Sequence, residues 1–166
     1  APEIAELAKT WTLDESEKNA ITPLPLYVPG PDSADDVTEE YPFQILDFHH
    51  KCTTHSTYAH NPVVQKMAPF QAWINPLDAE RAGIADLDQV RITTAQGSMI
   101  TQAKVTNRVM PGVIMHAQGA WHNAPAEGDR TDRGGCTNTL TSRQRNPISK
   151  GTGQHSVIGR IEKVEE

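Results

Sequence analysis

Apolar positions along this chain fall in short runs that alternate with polar residues, and stretches of helical period are few. Tyr41-Pro42-Phe43-Gln44-Ile45-Leu46-Asp47-Phe48 is an apolar, aromatic-rich run that predicts the first strand of a domain. Trp73-Ile74 predicts a second, short strand. Asn75 then stands where a cap is needed, Pro76 at a first helical position, Asp78 where an acid favours the helix dipole, and Gly83 where a left-handed residue ends the turn. Gln89 to Ala95 and Ser98 to Asn107 read as two strands joined at Gln96-Gly97, a hairpin with Met99, Thr101, Ala103 and Val105 on one face. Val113 to His116, after Pro111-Gly112, predicts another strand, and Val157 to Val164 a closing one. Glu3 to Leu13 has the spacing of a short amphipathic helix, weakened by Thr10, Trp11 and Thr12. Strand, short helix and hairpin in this order predict a mainly β fold, a barrel with small helices rather than a doubly wound sheet.

Charge divides the chain unevenly. Net charge is -6, but residues 1–40 hold ten Asp and Glu against Lys9 and Lys18 (net -8), while residues 41–166 hold eleven acids against thirteen bases (net +2). With Pro2, Pro23, Pro25, Pro29 and Pro31, residues 1–40 predict an acidic, extended arm or linker, with the prolines fixing an extended path over Ile21 to Pro31. Residues 41–166 are then the globular domain. The basic residues are too sparse for a nucleic-acid footprint, and no run of 18 or more apolar residues could span a bilayer. Ala1 to Glu6 lacks the pattern of a signal peptide, which predicts a processed end or a cut from a longer chain. Cys52 and Cys136 permit one disulfide or two free thiols, of which free thiols are the expectation, and they cannot build an iron-sulfur site by themselves.

Four histidines, His49, His50, His55 and His60, raise a metal site, but steps of five residues keep no regular element aiming three of them inward, and no Cys or carboxylate partner stands nearby in a ligating pattern. As a ligand loop the segment is more coherent: His50-Lys51-Cys52-Thr53-Thr54-His55-Ser56-Thr57 offers imidazole, ammonium and hydroxyl groups directly after a strand. A second donor-rich stretch runs from Arg133 to Arg160 with no Asp or Glu but with Arg143, Arg145 and Lys150, Gly134-Gly135 and Gly151-Thr152-Gly153, which suits an anion such as a pyrophosphate. The long segment Gly119 to Ser156, with little periodicity, reads as a functional or disordered loop. P-loop and Rossmann signatures are absent, and no nucleophile is activated by a neighbouring base.

Taken together, His49-His50, Thr54-His55-Ser56-Thr57-Tyr58, Trp73-Ile74-Asn75-Pro76-Leu77-Asp78-Ala79, Gly83-Ile84, Lys104-Val105-Thr106, Met110-Pro111-Gly112-Val113, Gln118-Gly119-Ala120-Trp121, Gly134-Gly135-Cys136-Thr137-Asn138-Thr139-Leu140-Thr141 and Pro147-Ile148-Ser149-Lys150-Gly151 resemble the C-terminal domain of the molybdopterin oxidoreductases, of the anaerobic dimethyl sulfoxide reductase catalytic-subunit type. The resemblance covers about residues 41 to 164. It implies a six-stranded double-psi β-barrel, aspartate-decarboxylase-like, that closes over bis(molybdopterin guanine dinucleotide) with molybdenum in a full-length parent, the isolated fragment holding none. It assigns pterin and phosphate contacts to His50, Thr54, His55, Ser56, Gly119, Trp121, Asn138, Gln154 and His155, and no catalytic or metal-ligating residue. Such relatives usually carry an Arg shortly before the His-Ser pair, where this chain has Cys52-Thr53-Thr54, and a Gly-Asn where it has Gly151-Thr152. The implied parent is an S-oxide or N-oxide reductase of anaerobic respiration. It would work in the periplasm or cell envelope with its own remaining domains, an iron-sulfur electron-transfer subunit and a membrane anchor, and this chain alone would not catalyse. The alternatives are a self-contained small-molecule-binding module on a double-psi barrel and a His-rich metal-binding domain. A self-cleaving decarboxylase-like protein would need a Gly-Ser, and the one candidate, Gly97-Ser98, lies in the predicted hairpin turn.

Overall fold

A computed structural model describes residues 3, 6, 9, 10, 24, 27, 32–123, 130–143, 149, 151–153, 155 and 157–165. The predicted helix over Glu3 to Leu13, the extended path over Ile21 to Pro31 and Gln154 therefore fall wholly or largely outside the described residues. Seven strands are described: β1 (Phe43–Phe48), β2 (Gln71–Ile74), β3 (Gln89–Thr93), β4 (Ser98–Val105), β5 (Val113–Ala117), β6 (Thr131–Asp132) and β7 (Val157–Lys163). Two short helices, α1 (Pro62–Met67) and α2 (Pro76–Arg81), and 3-10 turns at Ala34–Asp36 and Thr137–Thr139 accompany them.

The strands pair in the order β2-β5-β1-β7-β3-β4, and β2 pairs with β4, so six of them close into a barrel; β6 adds to β4 from outside the ring. This is the six-stranded double-psi barrel that the resemblance implies. Two pairs are parallel, β1 with β5 (Gln44 opposite Val113) and β2 with β4 (Gln71 opposite Gln102), and the other ring pairs are antiparallel. Closure removes the free sheet edges that would otherwise invite aggregation.

Alternation along the strands decides what fills the ring. Ile45, Ile74, Ile92, Met99, Ala103 and Ile114 are buried together in one core. Gly159 is where β7 crosses this core: a Cβ there would lie 2.5 Å from Cδ1 of Ile45 and 2.6 Å from the carbonyl oxygen of Thr93. Only glycine lets the backbone pass so close.

The predicted local signals for α2 all operate. The Asn75 side chain accepts from the amide of Leu77 at 3.0 Å, and its own amide group donates to the carbonyl of Val109 at 2.8 Å. The helix ends with Gly83 at φ +65°, Gly83 N–H donating to Glu80 O (3.2 Å) and Ile84 N–H to Ala79 O (2.8 Å), the paired bonds of a Schellman motif. Asp78 does more than favour the dipole, because its buried carboxylate accepts from the amide of Gly112 at 2.8 Å and ties α2 to the turn before β5.

Register places the C-terminal ends of β1, β3 and β5 and the N-terminal ends of β2, β4 and β7 at the same end of the barrel. The described residues of the connections 49–70, 94–97, 118–123 and 133–143 emerge there, whereas the other end carries α2 and the connection 106–112. The His-rich loop and the part of the second donor-rich stretch at residues 133–143 thus gather at one barrel mouth.

Candidate functional site at the barrel mouth

The barrel interior turns polar at this end. Continuing the inward alternation of Ile45, Ile92 and Ile114 toward this end come Asp47, Thr94 and His116, and Thr101, buried between Met99 and Ala103 on β4, adds a hydroxyl beside His116. His116 is fully buried; its Nδ1 lies 2.8 Å from the carbonyl oxygen of Ala117 and its Nε2 3.3 Å from the hydroxyl of Thr101. Burial lowers its pKa to about 4, against opposing contributions from the Ala117 hydrogen bond and Asp132. The ring is therefore neutral at pH 7, with Nδ1–H donating to Ala117 and Nε2 free to accept. Asp47 is shifted the other way: burial raises its pKa, while a hydrogen bond from Thr137 and the charge of His155 oppose the rise.

A neutral His116 has a consequence for stability. Above pH 6.5 both the folded and unfolded rings are neutral; below it the unfolded ring takes a proton that the folded one refuses until about pH 4. That window removes about 3 kcal/mol of stability on acidification, which Asp47, favouring the folded state at low pH, partly offsets. Denaturant unfolding at pH 7, 5.5 and 4 should show the loss, and in His116→Asn the slope between pH 6.5 and 4 should flatten. An unchanged slope would show that His116 does not set it.

Over the polar mouth the segment 137–140 forms a lid. The Thr94 hydroxyl donates to the carbonyl of Leu140 (3.0 Å), Leu140 reaches the core, and the backbone of Gly97 packs against the carbonyl of Thr139.

Asp132 on β6 organises the surrounding loops, and sequence reasoning gave it no role. It is 0% exposed and accepts four hydrogen bonds: from the amides of Asn123 (2.6 Å), Gly134 (3.1 Å) and Cys136 (2.7 Å) and from Nδ1 of His122 (2.9 Å). Segments 122–123 and 134–136 are thereby held to one carboxylate. Gly134 packs so closely on Trp121 that a Cβ there would enter the Trp121 carbonyl, and Gly135, at φ +79°, passes over the ring of His116.

The next layer is the His-rich loop. Trp121 Nε1–H donates to the carbonyl of Ser56 at 3.0 Å, and its indole lies 4.9 Å from the ring of His60. The amide nitrogen of Gln118 sits 2.9 Å from Nδ1 of His49 and 3.4 Å from Nδ1 of His55. Gly119, at φ +105°, abuts the carbonyl of His55. Two residues of this loop, His55 (φ 50°) and Tyr58 (φ 63°), hold left-handed backbone without being glycine. Such strain costs about 1 kcal/mol or more per residue and concentrates where a site is built. Turn bonds from Thr57 to Thr54 (3.0 Å) and Asn61 to Tyr58 (2.9 Å) lead into α1, which Asn61 caps by accepting from Val63 (2.9 Å).

The residues assigned from the sequence divide into groups. His55, Ser56, Gly119 and Trp121 meet directly, and Thr54 lies in the same turn. In this cluster Gly119 and Trp121 hold the loop in place, leaving the exposed His55 ring and the Ser56 hydroxyl at the surface. Asn138 is exposed in a different cleft of about 620 Å³, with Arg130 and Arg143, across from the turn at Ala95-Gln96. His50 lines a groove on the barrel wall and loses basicity through burial. His155 is exposed near Asp47. Among the described residues, the Thr53 hydroxyl is buried without a hydrogen-bond partner, and no three His, Cys, Asp or Glu side chains gather to hold a metal ion. Cys52 and Cys136 are free thiols; burial raises the pKa of Cys136, aided by Asp132 and Asp47, which makes it a poor nucleophile.

Comparison with known proteins now adds to this geometry. The chain is 46% identical over 162 residues to the probable dimethyl sulfoxide reductase chain YnfF of Escherichia coli K12, covering 97% of this chain and 20% of the relative. It is 42% identical to dimethyl sulfoxide reductase DmsA of the same organism (97% of this chain, 19% of the relative) and 32% identical to trimethylamine-N-oxide reductase of Haemophilus influenzae (84% and 18%). The chain thus spans about a fifth of the length of these relatives. Its fold matches that of acetylene hydratase from Pelobacter acetylenicus with a TM-score of 0.72 at 18% identity, over 89% of this chain and 22% of that one. A family model described as molydopterin dinucleotide binding domain matches residues 43–158, from the first residue of β1 into β7, so the chain, related to dimethyl sulfoxide reductase chains, belongs to the molydopterin dinucleotide binding domain family.

Proposed function

We propose that this domain serves a larger catalytic subunit that reduces a small S-oxide or N-oxide, and that the dinucleotide it binds is the guanine form of a bis-molybdopterin cofactor carrying molybdenum. The observation that carries the reading is the convergence of three loops at the mouth of a closed barrel, with hydrogen-bonding side chains left over once the loops have bonded to one another. The donor set fits the group. Among the described residues the Thr53 hydroxyl is buried without a partner, and Asn138 stands exposed in the cleft with Arg130 and Arg143. His55 and Ser56 stand exposed on a strained turn that Gly119 and Trp121 brace from behind.

In this reading Thr54, His55 and Ser56 bind phosphate or the polar edge of a pterin, Asn138 offers an amide to a second polar edge, and His155 closes the site. The bound cofactor supplies the redox chemistry. The chain's residues bind it, orient it and keep water from its buried edge. An iron-sulfur electron-transfer subunit and a membrane anchor belong to the same proposal, supported by the relatedness to dimethyl sulfoxide reductase chains.

The test uses the full-length subunit. Ser56→Ala combined with Asn138→Ala should lower the pterin recovered from purified protein several-fold while leaving the melting of this domain unchanged. Nucleotide released from the wild type by acid hydrolysis should be GMP. Normal pterin content in the double variant would remove these residues from the site, and a different nucleotide would remove the guanine assignment.

A further inference from the structure

The barrel wall carries a second cavity. Phe48, Trp73 and Met115 alternate with the inward residues of β1, β2 and β5 and so face outward, side by side in the sheet: Trp73 is opposite both Met115 and Lys104. His50 and the segment before β2 close one side, giving a groove of about 500 Å³. Ligand pockets for small molecules span roughly 300–1,000 Å³, with an apolar lining and a few convergent polar groups. The rings form one continuous aromatic floor, Phe48 tilted against Trp73 with centroids 4.9 Å apart at 50°, and His50 beside Phe48 at 6.4 Å and 25°.

The charges in the groove are all of one sign. Lys51, Lys104 and Arg108 line it, and among the described residues no Asp or Glu does. Lys104 is paired with Asp86 at 3.1 Å. Lys51 and Arg108 have no carboxylate partner among the described residues, and Arg108 lies over the Trp73 ring at 4.9 Å from its centroid. A guanidinium so placed is held by the ring yet keeps its in-plane N–H groups for an anion.

We propose that this groove is a second binding site, for a planar aromatic anion such as an aryl carboxylate or aryl phosphate. The ring lies on Phe48, Trp73 and Met115, and the anion meets Arg108 above Trp73, with Lys51 adding positive charge from the mouth end of the groove. Strand residues form the floor, so the slot is built before the ligand arrives. A small molecule suits it better than a polypeptide segment because the groove has a ligand-sized volume over a compact aromatic floor, with two cations that have no carboxylate partner among the described residues. The proposal is independent of the cofactor reading, which uses the loop cluster at the mouth and needs neither Arg108 nor Trp73.

Titration of the isotope-labelled 166-residue chain with 2-naphthoate tests it. Amide signals of residues 48–52, 71–73 and 108 should shift, and 2-naphthoate should bind about ten-fold or more tightly than neutral 2-naphthamide or non-aromatic cyclohexanecarboxylate. Arg108→Gln should remove the preference for the anion without changing the pterin content of the full-length subunit. Lys51→Gln, at an exposed position, gives the same test should Arg108→Gln alter melting. Absence of binding, equal binding of the three probes, or shifts confined to residues 54–57 and 119–121 would overturn the proposal. Displacement of 2-naphthoate by an acidic, tryptophan-bearing peptide of higher affinity would also overturn it, and assign the groove to a protein partner.

Discussion

Asp132→Asn is expected to destabilise the domain by about 3 to 5 kcal/mol and to abolish cofactor retention in the full-length subunit. The carboxylate uses Oδ1 for Asn123 and His122 and Oδ2 for Gly134 and Cys136. An amide must turn its NH2 toward one of these pairs, setting donor against donor at a position with no exposure to water. Urea unfolding gives the stability term, and pterin content gives the functional one. The stronger consequence is for the loops, because Trp121 loses its footing when 122–123 come away from 134–136, and with it goes the bond to Ser56. Asp132→Asn within 1 kcal/mol of wild type would show that the loops are held by other contacts.

Gly119→Ala is expected to displace the loop at 54–57 while leaving the barrel folded. Two penalties combine: φ of +105° is a conformation that alanine adopts at a cost of about 1 to 2 kcal/mol, and the new methyl enters the carbonyl of His55. Backbone cannot rotate aside as the end of a side chain can, so the turn must move bodily. Hydrogen exchange should accelerate at residues 54–58 and 119–121 and stay slow in β1, β4 and β5, and pterin content should fall. Gly134→Ala, which enters the carbonyl of Trp121, should produce the same pattern from the other side of the stack. Unaltered exchange in both variants would contradict the close packing of the three loops.

Which parts of this arrangement the sequence discloses follows from the range of the interactions. The helix α2 is legible because its start and stop depend on Asn75, Pro76 and Gly83 alone, and the hairpin of β3 and β4 because two alternating runs meet at one glycine. The helix α1 carries the same Asn-Pro signal at Asn61-Pro62 and went unread, since it lies among histidines and threonines that suggest a ligand loop. None of its residues is buried, so no apolar stripe marks it. The parallel pairs join residues some 30 or 70 positions apart and leave no local trace; the barrel was accessible through family resemblance rather than periodicity. At the site, the donor-rich stretches were visible as composition, and the structure does bring their loops to one end. What composition could not show is that Gly119 and Trp121 brace the loop, or that His50 and Asn138 line separate cavities. Asp132 was the hardest to see: one acid in a polar run that also holds Glu127 and Asp129 looks solvated until the amides that converge on it are known.

The position of β7 bears on how the molecule is made. Val157–Lys163 pairs with β1 on one side and β3 on the other, joining halves of the ring that are otherwise far apart in the chain. A ribosome delivers β1 more than a hundred residues before it delivers β7. Throughout that interval β1 and β3 each present an unpaired edge, and the ring cannot close however well the earlier strands have assembled. Closure of the ring is therefore completed by β7, the last of the described strands in chain order, and the mouth, whose loops need a closed ring beneath them, becomes competent only after translation has passed Lys163.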